Sequence, residues 1–379
     1  MHTHTEQDQA YGLAGLLTAP VGYLVLLFLP VYLEVVAASL QLTEQQIGRL
    51  ASADSIGLVL ATIVFALWVN KINFRHVTFA GVLIAVAGNF ICAFVDHFET
   101  LYVLRILCGV GEGLLVAVGI SALGMTSAPN RWFGYYTATV VLVQALGLIA
   151  VPLLYKAGGL YLVFVTMAGF YLLPLLVVNE LPQRSHSAPV VESSERGQAI
   201  GARWFVLALL GLLSFYIGLG GVWSYISFLA TDAGLQLDSV SRSLALSMTA
   251  GLLGALFFAW LNEKGKSSAL LFFSFALMSG CLLALLNTLS DMRYLALLSV
   301  FSFFWSVVGA RTFAIISDVD HSGKYISMAQ ACVGIGYIIG PMFASQLLLV
   351  YSYPGVNLLG IAAFILCFVL MLPLARRGR

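Results

Sequence analysis

Four ionisable side chains, Glu34, Asp54, Arg105 and Glu112, lie inside apolar runs in the first half of this chain. A charge at membrane depth costs on the order of 3 kcal/mol or more, so such residues usually face a protein interior or an aqueous path. Arg105 and Glu112 are seven residues apart, about two helical turns, which places both on one stripe of one helix. Gly109, Gly111 and Gly113 beside them would let a neighbouring backbone approach closely. Burial disfavours a charged carboxylate and a neighbouring guanidinium favours it. A carboxylate held between those influences can take up and release a proton, so the chemistry on offer is proton transfer linked to solute movement. Glu112 is the expected carrier, with Asp54 as its competitor. Arg105 is the expected electrostatic switch, or an anchor for a substrate carboxylate. The bland alternative is an Arg–Glu pair that only fixes helix packing.

At about 1.5 Å per residue, Glu34 and Arg105 fall roughly 5 and 7 Å from the outer ends of their runs. They are expected at similar height, where they could pair. Asp54 and Glu112 fall roughly 15 and 18 Å in, near the midplane. Two tiers result.

The elements that must position these residues are membrane helices. The chain has 379 residues, 60% hydrophobic and 9% charged, with a mean hydropathy of +0.97. Soluble proteins carry about 25% charge. A membrane helix needs roughly 20 apolar residues. Twelve such runs occur: 11–37, 44–69, 77–96, 100–124, 132–155, 159–179, 203–230, 239–262, 268–289, 292–316, 324–350 and 354–375. Thr43 with Gln46 reads as a capping box ahead of the second run. One long polar segment, Leu181 to Ala202, divides the runs six and six. The expected domains are therefore an N-terminal half (1–180), a cytoplasmic linker (181–202) and a C-terminal half (203–379).

With both termini inside, 12 of the 18 Lys and Arg residues fall in inner loops and tails, the asymmetry of a multi-pass protein with cytoplasmic ends. Nothing at the start has the form of a cleaved signal. The five cysteines sit in apolar runs without ligand spacing and read as small buried hydrophobes, with no metal implied. A net charge of +1 makes no case for nucleic acid. The halves also repeat. Trp68 and Asn70 match Trp260 and Asn262 at an offset of 192, and Gly134, Tyr136, Gly147 and Pro152 match Gly323, Tyr325, Gly336 and Pro341 at an offset of 189. Two six-helix halves related by a parallel repeat are a transporter architecture, with the solute site between halves near the midplane.

At that offset of 192, Arg105 and Glu112 correspond to Leu297 and Phe304, so the coupling chemistry is confined to the first half. The second half offers aromatic rings instead: Tyr216, Trp223, Tyr225, Phe304, Trp305 and Tyr337. Rings with a few polar groups line small-molecule sites, and Tyr23, Gln144 and Gln330 could add hydrogen bonds. Bundle packing is the competing reading for each. Arg311 and Asp318, seven apart, are expected as an inner-gate or structural ion pair. Gly218, Gly220 and Gly221 read as close packing, not as a nucleotide fingerprint. No phosphate-binding loop is present, which disfavours ATP-driven transport.

The chain resembles the major facilitator superfamily along essentially its whole length. The loop Ala66-Leu-Trp-Val-Asn70-Lys71-Ile-Asn73-Phe-Arg75 resembles the family's Gly-x-x-x-Asp-Arg-x-Gly-Arg-Arg motif. Asn70 replaces the Asp and Asn73 the second Gly, while Lys71 and Arg75 keep basic positions. Its counterpart is Asn262-Glu-Lys-Gly265-Lys266. The resemblance implies that Asn70, Lys71 and Arg75 belong to an inner latch, weakened by loss of the Asp. Arg105, Gly109 and Gly113 are similar to the family's fourth-helix pattern implicated in proton coupling, and Glu112 is reminiscent of Spinster-like members. Gly147 with Pro152, and Gly336-x-x-x-Gly340-Pro341, keep part of the fifth-helix motif of drug antiporters.

The expected protein is thus an all-α integral membrane protein of twelve transmembrane helices, its halves related by pseudo-two-fold symmetry. It is expected to be a secondary transporter and not an enzyme. It would move a small organic anion or amphipathic solute by alternating access, as symporter or antiporter, with no cofactor and the proton gradient as energy source. The alternatives are proton-antiport efflux of drugs or lipid-like amphiphiles, and a non-transporting membrane solute sensor. The expected setting is a monomer in a bacterial inner membrane, partnered by solute, protons and lipid.

Overall fold

Thr43 starts a helix for a reason visible in its own hydrogen bonds. Its backbone N–H donates to Gln46 Oε1 at 2.9 Å, and the Gln46 N–H donates to Thr43 Oγ1 at 3.4 Å. This is the expected capping box, which satisfies two amides that a helix start leaves unpaired. In the computed structural model, which describes residues 2–69, 71–183, 202–261, 268–317 and 324–377, every element is helical among the described residues. The chain divides into two units, Met1–Val191 and Glu192–Arg379. The linker expected at 181–202 and the counterpart loop at 262–267 lie almost wholly outside the described residues.

The first unit contains α1 (His2–Thr18), α2 (Leu24–Leu27), α3 (Leu29–Leu40), α4 (Glu44–Trp68), α5 (Phe74–Cys92), α6 (Phe98–Gly124) and α7 (Pro129–Phe170), then a 3-10 helix over Leu173–Glu180. The expected first span is broken. Pro20 and Pro30 have no N–H to give to the carbonyls four residues back, and their rings crowd them. The chain accordingly passes from α1 through a single 3-10 turn, Val21–Tyr23, into the short α2, and leaves helical torsions again at Phe28 (φ −112°, ψ 24°). The second unit contains α8 (Ala202–Asp232), α9 (Leu237–Leu261), α10 (Ser268–Ala284), α11 (Asp291–Ser317) and α12 (Lys324–Arg377). There α8 packs along α12 and α9 along α11.

Two stretches, Arg131–Glu180 and Met328–Leu374, are 50 and 47 residues long, about twice what a bilayer needs. Each holds two spans. The break in the first is at Gly158 and Gly159, and in the second at Ser352. With the shorter apolar helix Ser268–Ala284, the twelve-helix all-α membrane fold is present. Gly159 has φ 63°, ψ −162° and Ser352 has φ 54°, ψ −157°. That region is essentially glycine-only, and a side chain there costs about 1–3 kcal/mol. Ser352→Gly is therefore expected to stabilise the second unit by about 1 kcal/mol, seen as a raised melting temperature in detergent. A lowered one would contradict it.

Cys92, Cys108, Cys281 and Cys367 are buried, Cys332 is half-buried, and none is in a disulfide. The glycines of α8 do serve close packing. A Cβ on Gly218 would sit 2.6 Å from the Ala363 Cβ, and one on Gly340 of α12 would sit 2.3 Å from the Ile217 carbonyl oxygen, so a bare backbone on both helices lets α8 and α12 approach.

Candidate functional site

The site of the first unit is built where α4 meets α6 backbone to backbone. A Cβ on Gly109 would lie 2.2 Å from the Asp54 carbonyl oxygen, and one on Gly57 would lie 2.0 Å from the Ile106 carbonyl oxygen. These glycines bring the two helices closer than side chains allow, as small residues do in membrane bundles. That approach sets Asp54 of α4 directly beside Arg105 of α6.

Arg105 is the largest fully buried side chain among the described residues, at 0% exposure; Asp54 is at 0% and Glu112 at 1%. The guanidinium grips Asp54 with two nitrogens: Nε donates to Oδ2 at 3.3 Å, and Nη2 donates to Oδ1. The same Nη2 donates to Glu112 Oε1 at 3.1 Å. Nη1 donates to Asn89 Oδ1 of α5 at 2.9 Å. Asn89 is oriented for this by donating its own Nδ2 to the Ala85 carbonyl at 2.8 Å. The ring of Tyr32 on α3 lies 5.7 Å from Arg105 Cζ, within range of a cation–π contact. Tyr171, just past α7, donates its hydroxyl to Glu112 Oε1 at 2.6 Å. Glu112 Oε2 is buried and makes no hydrogen bond among the described residues.

The expected two tiers give way to one cluster. Arg105 was expected to share an outer tier with Glu34, but its donors go to Asp54, Asn89 and Glu112; Glu34 lies half-buried on α3. The reason is side-chain direction. Helical side chains lean toward the helix N-terminus, so the Glu112 carboxylate rises toward the level of Arg105. The arginine departs from that lean: its guanidinium turns to Asp54 across the glycine contact and to Glu112 at 3.1 Å. Near the start of the same two helices, Arg49 and Glu99 form a bidentate pair at 2.9 Å for each bond. The Arg49 guanidinium lies 5.0 and 4.6 Å from the ring centres of Phe98 and Tyr102. The pair joins α4 to α6 six residues or fewer from the buried cluster.

Among the proposed solute ligands of the first unit, Gln144 on α7 donates Nε2 to the Leu27 carbonyl at 3.0 Å, where the first span is broken. Its amide supports that break. Tyr23 ends the 3-10 turn of the same span, half-buried. In the second unit two of the aromatic pairs that join α8 to other helices are made by the proposed solute ligands. Trp223 meets Trp305 of α11 at 5.6 Å between ring centres, and Tyr216 meets Tyr337 of α12 at 5.8 Å. Tyr225 is buried on α8 and contacts Phe228, while Gln330 is exposed on α12.

Of the residues expected at the inner gate, Lys71 is exposed and Asn70 lies outside the described residues. Arg75 bonds within its own unit, its Nε to the Leu181 carbonyl at 3.1 Å and its Nη2 to the Asn179 carbonyl at 2.5 Å. Arg311 is buried on α11. Its expected partner Asp318 lies outside the described residues.

Asn89, Tyr171 and Tyr32 are members of the cluster that the charge pattern did not single out. An uncharged amide inside the third apolar run was a usable signal for Asn89. Tyr171 is one of 16 tyrosines, and nothing in its neighbours marks it.

Comparisons with known proteins agree with this architecture. The Major Facilitator Superfamily model matches residues 12–320 and 208–379. A relative from Salmonella paratyphi B (strain ATCC BAA-1250 / SPB7), described as the uncharacterized MFS-type transporter YcaD, is 27% identical over 353 residues, covering 90% of this chain and 89% of its own. Among solved structures, a bacterial homolog of the human lysosomal transporter Spinster, inward-facing and unoccupied, superposes with a TM-score of 0.70 at 14% identity, over 99% of this chain and 96% of that one. A point mutant of the nucleoside transporter NupG does so with a TM-score of 0.73 at 12% identity, over 97% and 99%. At those identities the structures speak for the fold, and the family model speaks for descent: this chain is a multi-pass membrane protein of the Major Facilitator Superfamily, a family of transporters.

Proposed function

We propose that the protein is a proton-coupled secondary transporter of a small organic solute, an organic anion or amphipathic molecule, working by alternating access. The proton gradient is its energy source, no cofactor takes part, and the setting is a bacterial inner membrane with both termini cytoplasmic.

One observation carries the proton reading: a single buried guanidinium serves two buried carboxylates. With both carboxylates ionised the cluster holds one uncompensated negative charge, which a buried site penalises by several kcal/mol. One proton removes it. Asp54 has both oxygens on Arg105 and is the carboxylate best kept ionised. Glu112 shares one oxygen with Arg105 and Tyr171 and has the other unbonded, so the proton belongs there. A site that binds one proton when closed and releases it when water enters can couple transport to the gradient. Arg105 spends its donors inside this cluster, which favours the role of electrostatic partner over that of solute anchor. The aromatic pairs Trp223–Trp305 and Tyr216–Tyr337 suit the apolar part of a solute.

A melting-temperature screen of purified protein against organic acids, sugars, nucleosides and cationic drugs comes first, because a bound solute raises the melting temperature by linkage. Uptake or exchange of the best hit is then measured in proteoliposomes under an imposed proton gradient. Glu112→Gln is expected to abolish the gradient-driven component. Unchanged gradient-driven transport by that variant would sink the assignment. Counterflow of labelled solute separates a carrier from a sensor.

A further inference from the structure

The sixth apolar run does not finish as an α-helix. α7 stops at Phe170, Tyr171 and Leu172 form a turn, and Leu173–Glu180 wind as a 3-10 helix of 8 residues. Pro174 explains the break, since it has no N–H for the Phe170 carbonyl and its ring crowds that oxygen. It does not explain the length. A 3-10 helix seldom runs beyond about 3–4 residues, and a longer one inside a helix often marks a hinge.

Both ends of the segment are held. At its start Tyr171, fully buried, donates to Glu112 Oε1. At its end Arg75 donates to the carbonyls of Asn179 and Leu181, and the Phe74 N–H donates to the Gln183 carbonyl at 3.2 Å. Leu181 is itself buried in an apolar cluster with Ala14, Phe65, Phe74, Val118, Ala122 and Val178. The segment is thus a tether between the buried carboxylate and the residues where the first unit hands over to the linker.

We propose that Tyr171 is a positioning residue that couples the protonation of Glu112 to the winding of Leu173–Glu180. The inference rests on the reading of Glu112 as proton carrier. An ionised carboxylate accepts a hydrogen bond about twice as strongly as a neutral one, so protonation loosens the hold on the phenol. A 3-10 helix rises about 2.0 Å per residue and an α-helix about 1.5 Å, so rewinding eight residues shortens the segment by about 4 Å. That displacement is delivered at Leu181–Gln183. The other titratable groups facing Glu112 are Arg105 and Cys108 on its own helix α6 and Asp54 on α4. Both helices have regular winding at these residues, so Tyr171, in the turn that leads into Leu173–Glu180, is the contact that adjoins an element with two ways to wind.

The test is amide hydrogen exchange of the full-length protein in lipid nanodiscs at acid and alkaline pH, corrected for intrinsic rates. Wild type, Tyr171→Phe and Glu112→Gln are compared. In wild type, amides of 173–183 are expected to exchange on the order of tenfold faster at acid pH, because a segment released from the carboxylate opens more often as it passes between windings, and tenfold is the scale of one lost hydrogen bond to a charged group. Tyr171→Phe keeps the ring and its packing, and should erase the pH difference. Glu112→Gln should show the acid pattern at both pH values. Retention of the wild-type pH difference by Tyr171→Phe would overturn the proposal. If Tyr171→Phe cannot be purified folded, the other two proteins decide: a Glu112→Gln pattern that still changes with pH as wild type does overturns it. Failure of the parent reading looks different, because gradient-driven transport then survives Glu112→Gln. Loss of that transport with pH-independent exchange at 173–183 in wild type sinks the tether alone.

Discussion

Arg105→Met is expected to destabilise the protein by about 3–5 kcal/mol, the cost of removing one partner from a buried ionic group. The substitution leaves Asp54 and Glu112 at 0% and 1% exposure facing each other without a cation. It also strips Asn89 Oδ1 of its donor. Melting of the purified protein should drop by many degrees, and expression in the membrane should fall with it. The informative companion is the triple variant Arg105→Met with Asp54→Leu and Glu112→Leu. Buried ion pairs replaced as a set by apolar residues are often neutral or more stable by about 1–4 kcal/mol. Recovery of the melting temperature with no recovery of gradient-driven transport is the result expected of a functional cluster. If the triple variant transports normally, the cluster is packing and the proton reading is wrong.

Gly109→Leu carries the second large effect. Its Cβ alone would sit 2.2 Å from the Asp54 carbonyl oxygen and 2.9 Å from the Asp54 Cα. Backbone cannot step aside as a flexible side chain can, so α4 and α6 must part. Overpacking costs about 1–3 kcal/mol, and a branched side chain against backbone belongs at the top of that range. The consequence reaches past stability. Separating the helices pulls Asp54 from Arg105, so gradient-driven transport should fall further than folded protein does. Gly109→Ala should show both effects in milder form. Full transport by folded Gly109→Leu would mean that the Asp54–Arg105 contact is dispensable.

Charge inside apolar runs makes Asp54, Arg105 and Glu112 visible in the sequence, because a bilayer allows few reasons for a charge at depth. The twelve spans are visible for the same cause. What sequence does not resolve is which charges meet. Counting rise along a helix treats each side chain as a point at its Cα, and on that scale Arg105 belongs with Glu34. The guanidinium in fact reaches Asp54 and a carboxylate seven residues on. Gly109 reads as a packing residue and is one, but which helix it admits depends on the facing surface, where Gly57 makes the matching gap. Tyr171 is invisible in sequence because its role comes from a winding change set jointly by Pro174 and by contacts to distant residues. Such a change is a property of the assembled unit, not of a window of sequence.

Gly159 and Ser352 make the same backbone turn at an offset of 193, close to the 189 and 192 that align the two halves. In one copy the turn keeps the residue type that adopts those torsions easily. In the other a serine adopts them at a cost. Strained torsions of this kind persist only where the surrounding structure over-determines them. The same hairpin therefore forms with and without a glycine, and its shape is set by the packing of the two helices it joins rather than by the residue at its tip.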